Sequence, residues 1–258
     1  MSEISAALEE ARRTAAEAGG LLREYYSRSG EVRFKGAVDL VTDADTAAQD
    51  LIHARLSRAF PGHDFLAEEG LERLTGAEFR WVVDPLDGTT NFAHRLPVFC
   101  VSIALEHRGA LACGVVFNPM SGEMFWAERA GGAFLDGRPI RVSGIAELGR
   151  ALVATGFPYD LRTTRTNIAP HEKFLLRTQA VRRCGSAAID LCFVACGRFD
   201  GFWEFKLNPW DTAAGALIAA EAGGRVTDFG GRPVDIYHPE VLASNGLIHG
   251  EMLAVLGG

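Results

Sequence analysis

Two aspartates three residues apart close the run Trp81-Val82-Val83-Asp84-Pro85-Leu86-Asp87, and Gly88, Thr89, Thr90 and Asn91 follow them. The apolar run reads as a core strand, so Asp84 emerges at the edge of the interior. Pro85 disfavours helical dihedrals for Asp84 and brings no N–H donor, which keeps Asp84 extended. Gly88 permits a tight turn, and Thr89, Thr90 and Asn91 can cap a helix beginning near Phe92. A helix start carries unpaired N–H groups and partial positive charge, which suits a phosphate. Two carboxylates beside that phosphate repel it unless a cation lies between them. Oxygen-only ligands favour a hard divalent ion, Mg²⁺ before Zn²⁺. On Asp-x-x-Asp-Gly alone, a capped helix with two solvated aspartates is the better explanation, because short motifs often match by chance.

Three further acidic sites shift that balance. Glu68 and Glu69 end the apolar run of "FLAEEG", and Asp43 and Asp45 stand just before a helix in "VDLVTDAD". Asp211 falls in the first turn of the very apolar "NPWDTAAGALIAAEAGG". Taken singly, solvated strand ends, N-capping and helix-dipole complementation explain them. Four acidic sites, each at the end of an element expected to be buried, are harder to dismiss together. Rival chemistries lack their motifs. The seven histidines form no His-x-x-x-His pair, and no Gly-x-Ser-x-Gly elbow, P-loop or dinucleotide glycine fingerprint occurs. Ser186 in "CGSAAID" reads as an ordinary helix start.

The elements that must hold these acids follow from periodicity. Apolar residues at helical spacing predict a helix over 3–27, ending near the Ser-Arg-Ser-Gly turn, and another over 45–60, stopped by Pro61-Gly62. Short strand-like runs then follow one another ("DFLAEE", "RWVVD", "FCVSIALEH", "LACGVVFNP", "EMFWAER"), which predicts an antiparallel sheet in the first half. After about residue 145, strands alternate with helices. "ALVATGF", "FDGFWEF" and "RVTDF" are strands, while 166–179, "SAAIDLCFVAC" and "PWDTAAGALIAAEAG" are helices. The expectation is an N-terminal α+β lobe over 1–145 with most of the acids. A C-terminal α/β lobe over 146–258 would carry Asp211, the two packed as one unit.

Composition narrows the class. A chain of 258 residues, 48% hydrophobic, suits one globular body. Its formal charge of −7 offers no basic stretch for nucleic acid or an anionic membrane; the densest basic pair in the second half, Arg182–Arg183, reads as a solvated turn. Five cysteines, none in a Cys-x-x-Cys pair, predict reduced core thiols and a cytoplasmic protein. The first thirty residues are not a signal peptide, and no run of eighteen apolar residues could span a membrane.

At these motifs the sequence resembles the inositol monophosphatase family of Mg²⁺-dependent, lithium-sensitive phosphatases, over roughly Lys35 to Gly230 and closest to its bacterial members. "WVVDPLDGTTNF" and "PWDTAAGALIAAEAGG" look like the family's two signatures, with "VDLVTDAD", the Glu68-Glu69 pair and "RRCGSAAIDLCFVACGRFDGFWE" in order between and before them. The resemblance implies a layered αβαβα sandwich of the inositol monophosphatase and fructose-1,6-bisphosphatase type, an α+β or α/β fold. Carried over by position, Glu68, Asp84 and the Leu86 carbonyl resemble the ligands of one metal. Asp84, Asp87 and Asp211 resemble those of a second, and Asp45 with Glu68 those of a weaker third. Thr89 with Glu68 would position the attacking water, so Glu68, Thr89 and Asp84 are the implied catalytic residues, with Glu69 acting from behind them. Gly88 and Thr89 would hold the phosphate through their N–H groups, and Asp87, Ala187 and Glu204 would contact substrate hydroxyls.

What the family implies is hydrolysis of an inositol monophosphate, with two or three Mg²⁺ ions or Mn²⁺ in their place, by a homodimer. Fructose 1,6-bisphosphate or histidinol phosphate is the runner-up substrate. "DGTTNF", without the lysine of nucleotide-directed relatives, favours the inositol branch, while Asn208-Pro209 in "KLNPWD" departs from animal members near the substrate side. A regulatory binding protein on the same fold is the alternative of a different class.

Overall fold

The structure, a computed structural model, describes residues 2–27, 32–34 and 40–257. Lys35, the Val38-Asp39 start of "VDLVTDAD" and the Arg28-Ser29-Gly30 turn lie outside the described residues. Eight α-helices are described. They are α1 (Glu3–Ser27), α2 (Asp43–Ala59), α3 (Thr89–Ala93), α4 (Leu161–Thr164), α5 (Ile168–Leu175), α6 (Ala187–Ala195), α7 (Pro209–Glu221) and α8 (His249–Gly257). The strands begin with a short hairpin, β1 (Val32–Phe34) and β2 (Leu40–Thr42). The first large sheet comprises β3 (Asp64–Ala67), β4 (Glu72–Arg73), β5 (Phe79–Asp87), β6 (Cys100–His107), β7 (Ala110–Asn118), β8 (Glu123–Glu128), β9 (Gly132–Leu135) and β10 (Arg138–Pro139). A second sheet comprises β11 (Leu152–Thr155), β12 (Ala180–Arg182), β13 (Gly201–Phe205), β14 (Arg225–Thr227) and β15 (Glu240–Ser244).

The eight-stranded sheet runs β10-β9-β8-β7-β6-β5-β3-β4 and is antiparallel except for the β3–β5 pair. The five-stranded sheet runs β12-β11-β13-β15-β14, parallel around β11 and antiparallel around β15. Alternation along the strands sorts side chains between layers. Trp81 and Val83 of β5 join Ala11, Ala15, Leu22, Ile52 and Leu56 of α1 and α2 in one core. Val82 points the other way, into a core with Ala188 and Cys192 of α6 and Ala213, Ala214 and Leu217 of α7. Behind α6, Leu191 and Val194 meet Ala154, Phe202 and Val241 of the second sheet. That sheet's far face sets Val153, Trp203 and Leu242 against Phe174 of α5 and Met252 and Val255 of α8. The order is therefore helix, sheet, helix, sheet, helix, the expected sandwich.

The middle layer is thin because its residues are small. A Cβ added at Gly114 of β7 would lie 2.9 Å from the Cα of Ala214, and one at Gly215 2.7 Å from the Cβ of Leu191. Larger side chains at either place would force α7 away from the sheet or from α6.

Several expectations are corrected. The helix expected over 166–179 is only α5; Asn167 takes φ 70 before it, and Ala180–Arg182 turn into a strand. The helix expected from Asp45 starts at Asp43. Not all cysteines are core thiols: all five are free, but Cys184 and Cys196 are only half-buried. Among the described residues, no helix is long and apolar enough to cross a membrane.

Candidate active site

Strand β5 builds the centre of the site. Asp84 shares the parity of Val82, so it faces the α6–α7 layer. The ladder to β6 is regular down to Asp84↔Ser102 and resumes only at Asp87↔Cys100. Pro85 supplies no donor inside a central strand, and this break is where such a proline is tolerated. The freed Leu86 N–H bonds back to Asp84 Oδ1 at 2.9 Å. Ser102, opposite Asp84, donates to the Trp210 carbonyl at 3.3 Å and so ties the start of α7 to the same rung. Asp211 follows Trp210, and its Oδ2 accepts the Asn208 N–H at 2.7 Å. Glu68 is placed from the other side, because its N–H continues the parallel pairing onto the Val83 carbonyl at 3.2 Å.

Asp87 is fixed from α6: its Oδ2 accepts Ser186 Oγ at 2.6 Å and the Ala188 N–H at 2.8 Å. Gly88, not Thr89, Thr90 or Asn91, caps α3, with left-handed φ 99 that glycine adopts without strain. The helix then starts at Thr89, three residues earlier than expected. Asn91 instead spends its amide on the Val98 and Cys184 carbonyls. The buried Thr89 hydroxyl donates to the Leu86 carbonyl at 3.1 Å or to Asp45 Oδ1 at 3.3 Å. Asp45 is itself fully buried. Glu69 exchanges backbone bonds with the Gln49 amide, which locks the turn after β3 onto α2.

A cavity of about 150 Å³ is lined by Glu68, Asp84, Leu86, Asp87, Gly88 and Asp211. Ala187, Asp190, Glu204, Arg183 and Lys206 line the same cavity. Asp45, Glu69 and Thr89 are not among its lining residues, whereas Thr90 is. Electrostatics mark the same place. Burial first, then the charges of Glu68, Asp87 and Asp211, hold the Asp84 pKa well above the ordinary carboxylate range. Burial and Asp87 do the same for Asp211, and burial and Asp190 for Glu204. Asp87 is raised less, since Ser186 and the helix N–H groups offset its burial.

Buried, mutually repelling, oxygen-only donors are the chemistry that a hard divalent cation neutralises, so the residues present fit Mg²⁺. Among the described residues, no group of three or more His, Cys, Asp or Glu side chains has the spacing of a metal site.

The sequence model of the inositol monophosphatase family matches residues 3–256. The chain belongs to the inositol monophosphatase family. An inositol-1-monophosphatase of Synechocystis is 45% identical to it, spanning 99% of this chain and 90% of that protein. Nus factor SuhB of Pseudomonas aeruginosa is 43% identical, over 91% and 90% of the two chains. The inositol monophosphatase structure from Anabaena superposes with a TM-score of 0.91 at 40% identity, covering 99% of this chain and 97% of that one.

In this member of the inositol monophosphatase family, the cavity also uses residues that motif reading passed over. Arg183 is no mere solvated turn, since it lines the cavity beside Gly185. Ser186 caps α6, as its sequence suggests, and in addition steers Asp87. Gly156 leaves room for Glu204: a Cβ there would lie 1.9 Å from Glu204 Oε1. Asp190, a lone acid in the apolar "SAAIDLCFVA", is buried and raised to about 8, chiefly by burial. An acid on an otherwise apolar helix was the only signal that could have flagged it.

Proposed function

We propose that this phosphatase hydrolyses an inositol monophosphate, typically inositol 1-phosphate, to inositol and phosphate with the help of Mg²⁺. The observation that carries the reading is Asp84, buried at the break in β5 with Glu68, Asp87 and Asp211 around one cavity. Glu68, Asp84, the Leu86 carbonyl, Asp87 and Asp211 would hold two ions, and Asp45 with Glu68 a weaker third. The chemistry that Mg²⁺ supplies when bound is that of a Lewis acid, which offsets phosphate charge and eases proton loss from water and departure of the alkoxide.

The chain's own groups do the rest. Thr89 gives its hydroxyl proton inward, so its oxygen is left to accept a hydrogen bond from the attacking water, with Glu68 as the second orienting group. Thr89 is not itself a base, because an alcohol ionises far above neutrality. The N–H groups of Gly88 and Thr89 would receive the phosphate. Asp87, the Ala187 backbone and Glu204 would take substrate hydroxyls. Lithium sensitivity, Mn²⁺ as a substitute and a homodimer belong to this reading through family resemblance, while a two-lobe organisation rests on the change of element rhythm near residue 145 and a cytoplasmic location on the unpaired cysteines.

The test is phosphate release with Mg²⁺ across inositol 1-phosphate, fructose 1,6-bisphosphate, histidinol phosphate and simpler esters, alongside Asp84→Asn. Inositol 1-phosphate should be the preferred ester and Asp84→Asn should lose at least about 100-fold, in line with the loss of a charge-stabilising group. An active Asp84→Asn would sink the metal assignment. A relative named as a Nus factor favours a second reading, in which the chain also binds a protein partner; no turnover of any ester would put that reading first.

A further inference from the structure

Asp190 stands on the first turn of α6, where an acid ordinarily complements the helix dipole from the surface. This one is 1% exposed. The Cys184 thiol approaches its carboxyl, yet Oδ1 is buried without a hydrogen-bond partner while the residue lines the active-site cavity. No Lys, Arg or His among the described residues pairs with it at ion-pair distance. A buried polar atom left unsatisfied destabilises a fold, and native proteins keep few of them without a functional reason. Dipole complementation does not require burying the oxygen, so it does not explain the position.

The surroundings indicate what would satisfy Oδ1. Asp190 and Glu204 line the same cavity as Asp84 and Asp211, and Gly156 leaves the space that the Glu204 carboxylate occupies. The phosphate end of a substrate belongs by the Gly88 turn, which lines this cavity too. We infer that Asp190 is a substrate-contact residue that sets specificity, its carboxyl hydrogen-bonding an aliphatic hydroxyl group on the non-phosphate end of the polyol. The inference rests on the phosphatase reading above and adds a second hydroxyl-recognising acid beside Glu204.

The experiment compares inositol 1-phosphate with 4-nitrophenyl phosphate, an ester without aliphatic hydroxyls, in wild type, Asp190→Leu and Asp190→Asn. Asp190→Leu should raise KM for inositol 1-phosphate about tenfold, the worth of one lost hydrogen bond. Its kinetics on 4-nitrophenyl phosphate should stay within about twofold of wild type by the same argument. Its thermal midpoint should not fall, because an unsatisfied buried carboxyl has been removed. Asp190→Asn keeps a hydrogen-bonding group and should restore most of the KM. Equal losses on both esters, or a lowered midpoint in both variants, would mean a structural role and overturn the inference. Should the leucine variant not fold, Asp190→Ala is held to the same split between the two esters. Wild type that cleaves neither ester overturns the phosphatase reading with it. Wild type that cleaves both, with variants indifferent between them, overturns the Asp190 inference alone.

Discussion

Ser186 Oγ donates to Asp87 Oδ2 at 2.6 Å while accepting the Ile189 N–H at 3.3 Å, so one hydroxyl both caps α6 and aims a carboxylate of the site. Ser186→Ala should destabilise the fold by about 1–2 kcal/mol through the lost cap. Freed from its anchor, Asp87 should also demand more Mg²⁺. The concentration for half-maximal rate is expected to rise several-fold, with Ser186→Thr close to wild type. An unchanged Mg²⁺ response in the alanine variant would show that the Ala187 and Ala188 N–H groups and the Cys100 thiol suffice.

Gly156 is required by its neighbour rather than by its own backbone. A methyl there would overlap the Glu204 carboxylate, with 1.9 Å to Oε1 and 2.3 Å to Oε2. Glu204 has a flexible end, so Gly156→Ala should fold, at a penalty of about 1–3 kcal/mol. The displaced carboxylate should raise KM for the polyol ester while leaving 4-nitrophenyl phosphate nearly untouched. A crystal structure of the variant would show Glu204 turned away.

Activity should climb from acid to neutral and alkaline pH, because clustered carboxylates must be ionised to hold Mg²⁺. Raising Mg²⁺ should move the acid limb of the profile to lower pH, since metal competes with protons for the same oxygens. Rate measured against pH at two Mg²⁺ concentrations checks both points. A maximum near pH 5 contradicts the mechanism.

His249 predicts a separate pH effect, on stability. The ring is buried between Thr227 Oγ1, 2.9 Å from Nε2, and Ser244 Oγ, 2.8 Å from Nδ1. Burial, with repulsion from Arg225 adding to it, lowers its pKa from 6.5 to about 4. The unfolded chain therefore binds the proton first. Stability from this group is complete above about pH 6.5 and declines as pH falls towards 4, by up to about 3 kcal/mol. Urea titrations should show that decline in wild type and a flatter slope between those pH values in His249→Asn.

Sequence carried the parts of this site that local chemistry constrains. Pro85 and Gly88 dictate a break and a turn whatever surrounds them, so the delivery of Asp84 and Asp87 was legible. Asp211, an acid at the head of an apolar helix, was legible for the same reason. What could not be read is set by pairing at a distance. Ser102 matters only because the β5–β6 register puts it opposite Asp84 and α7 brings Trp210 over it. The overlong helix expected at 166–179 failed similarly. The Asn167 amide bonds Thr155 and Gly156 and accepts the Trp203 indole N–H, which holds Asn167 left-handed and delays the helix start. Asp190 was passed over because its place in the first turn of α6 is that of an ordinary dipole-complementing acid, and only its burial separates it from one.

The close approach of Gly114 to Ala214 has a reach beyond packing. Ala214 lies three residues, roughly 4.5 Å of helix rise, from Asp211. The depth to which α7 sinks onto the sheet thus gauges how far Asp211 stands from Asp84, two carboxylates contributed by different halves of the chain. A glycine that touches neither ion nor substrate serves as the site's caliper. Screens for variants that accept a larger cation should accordingly recover changes at Gly114, on a strand no one would search from the chemistry alone.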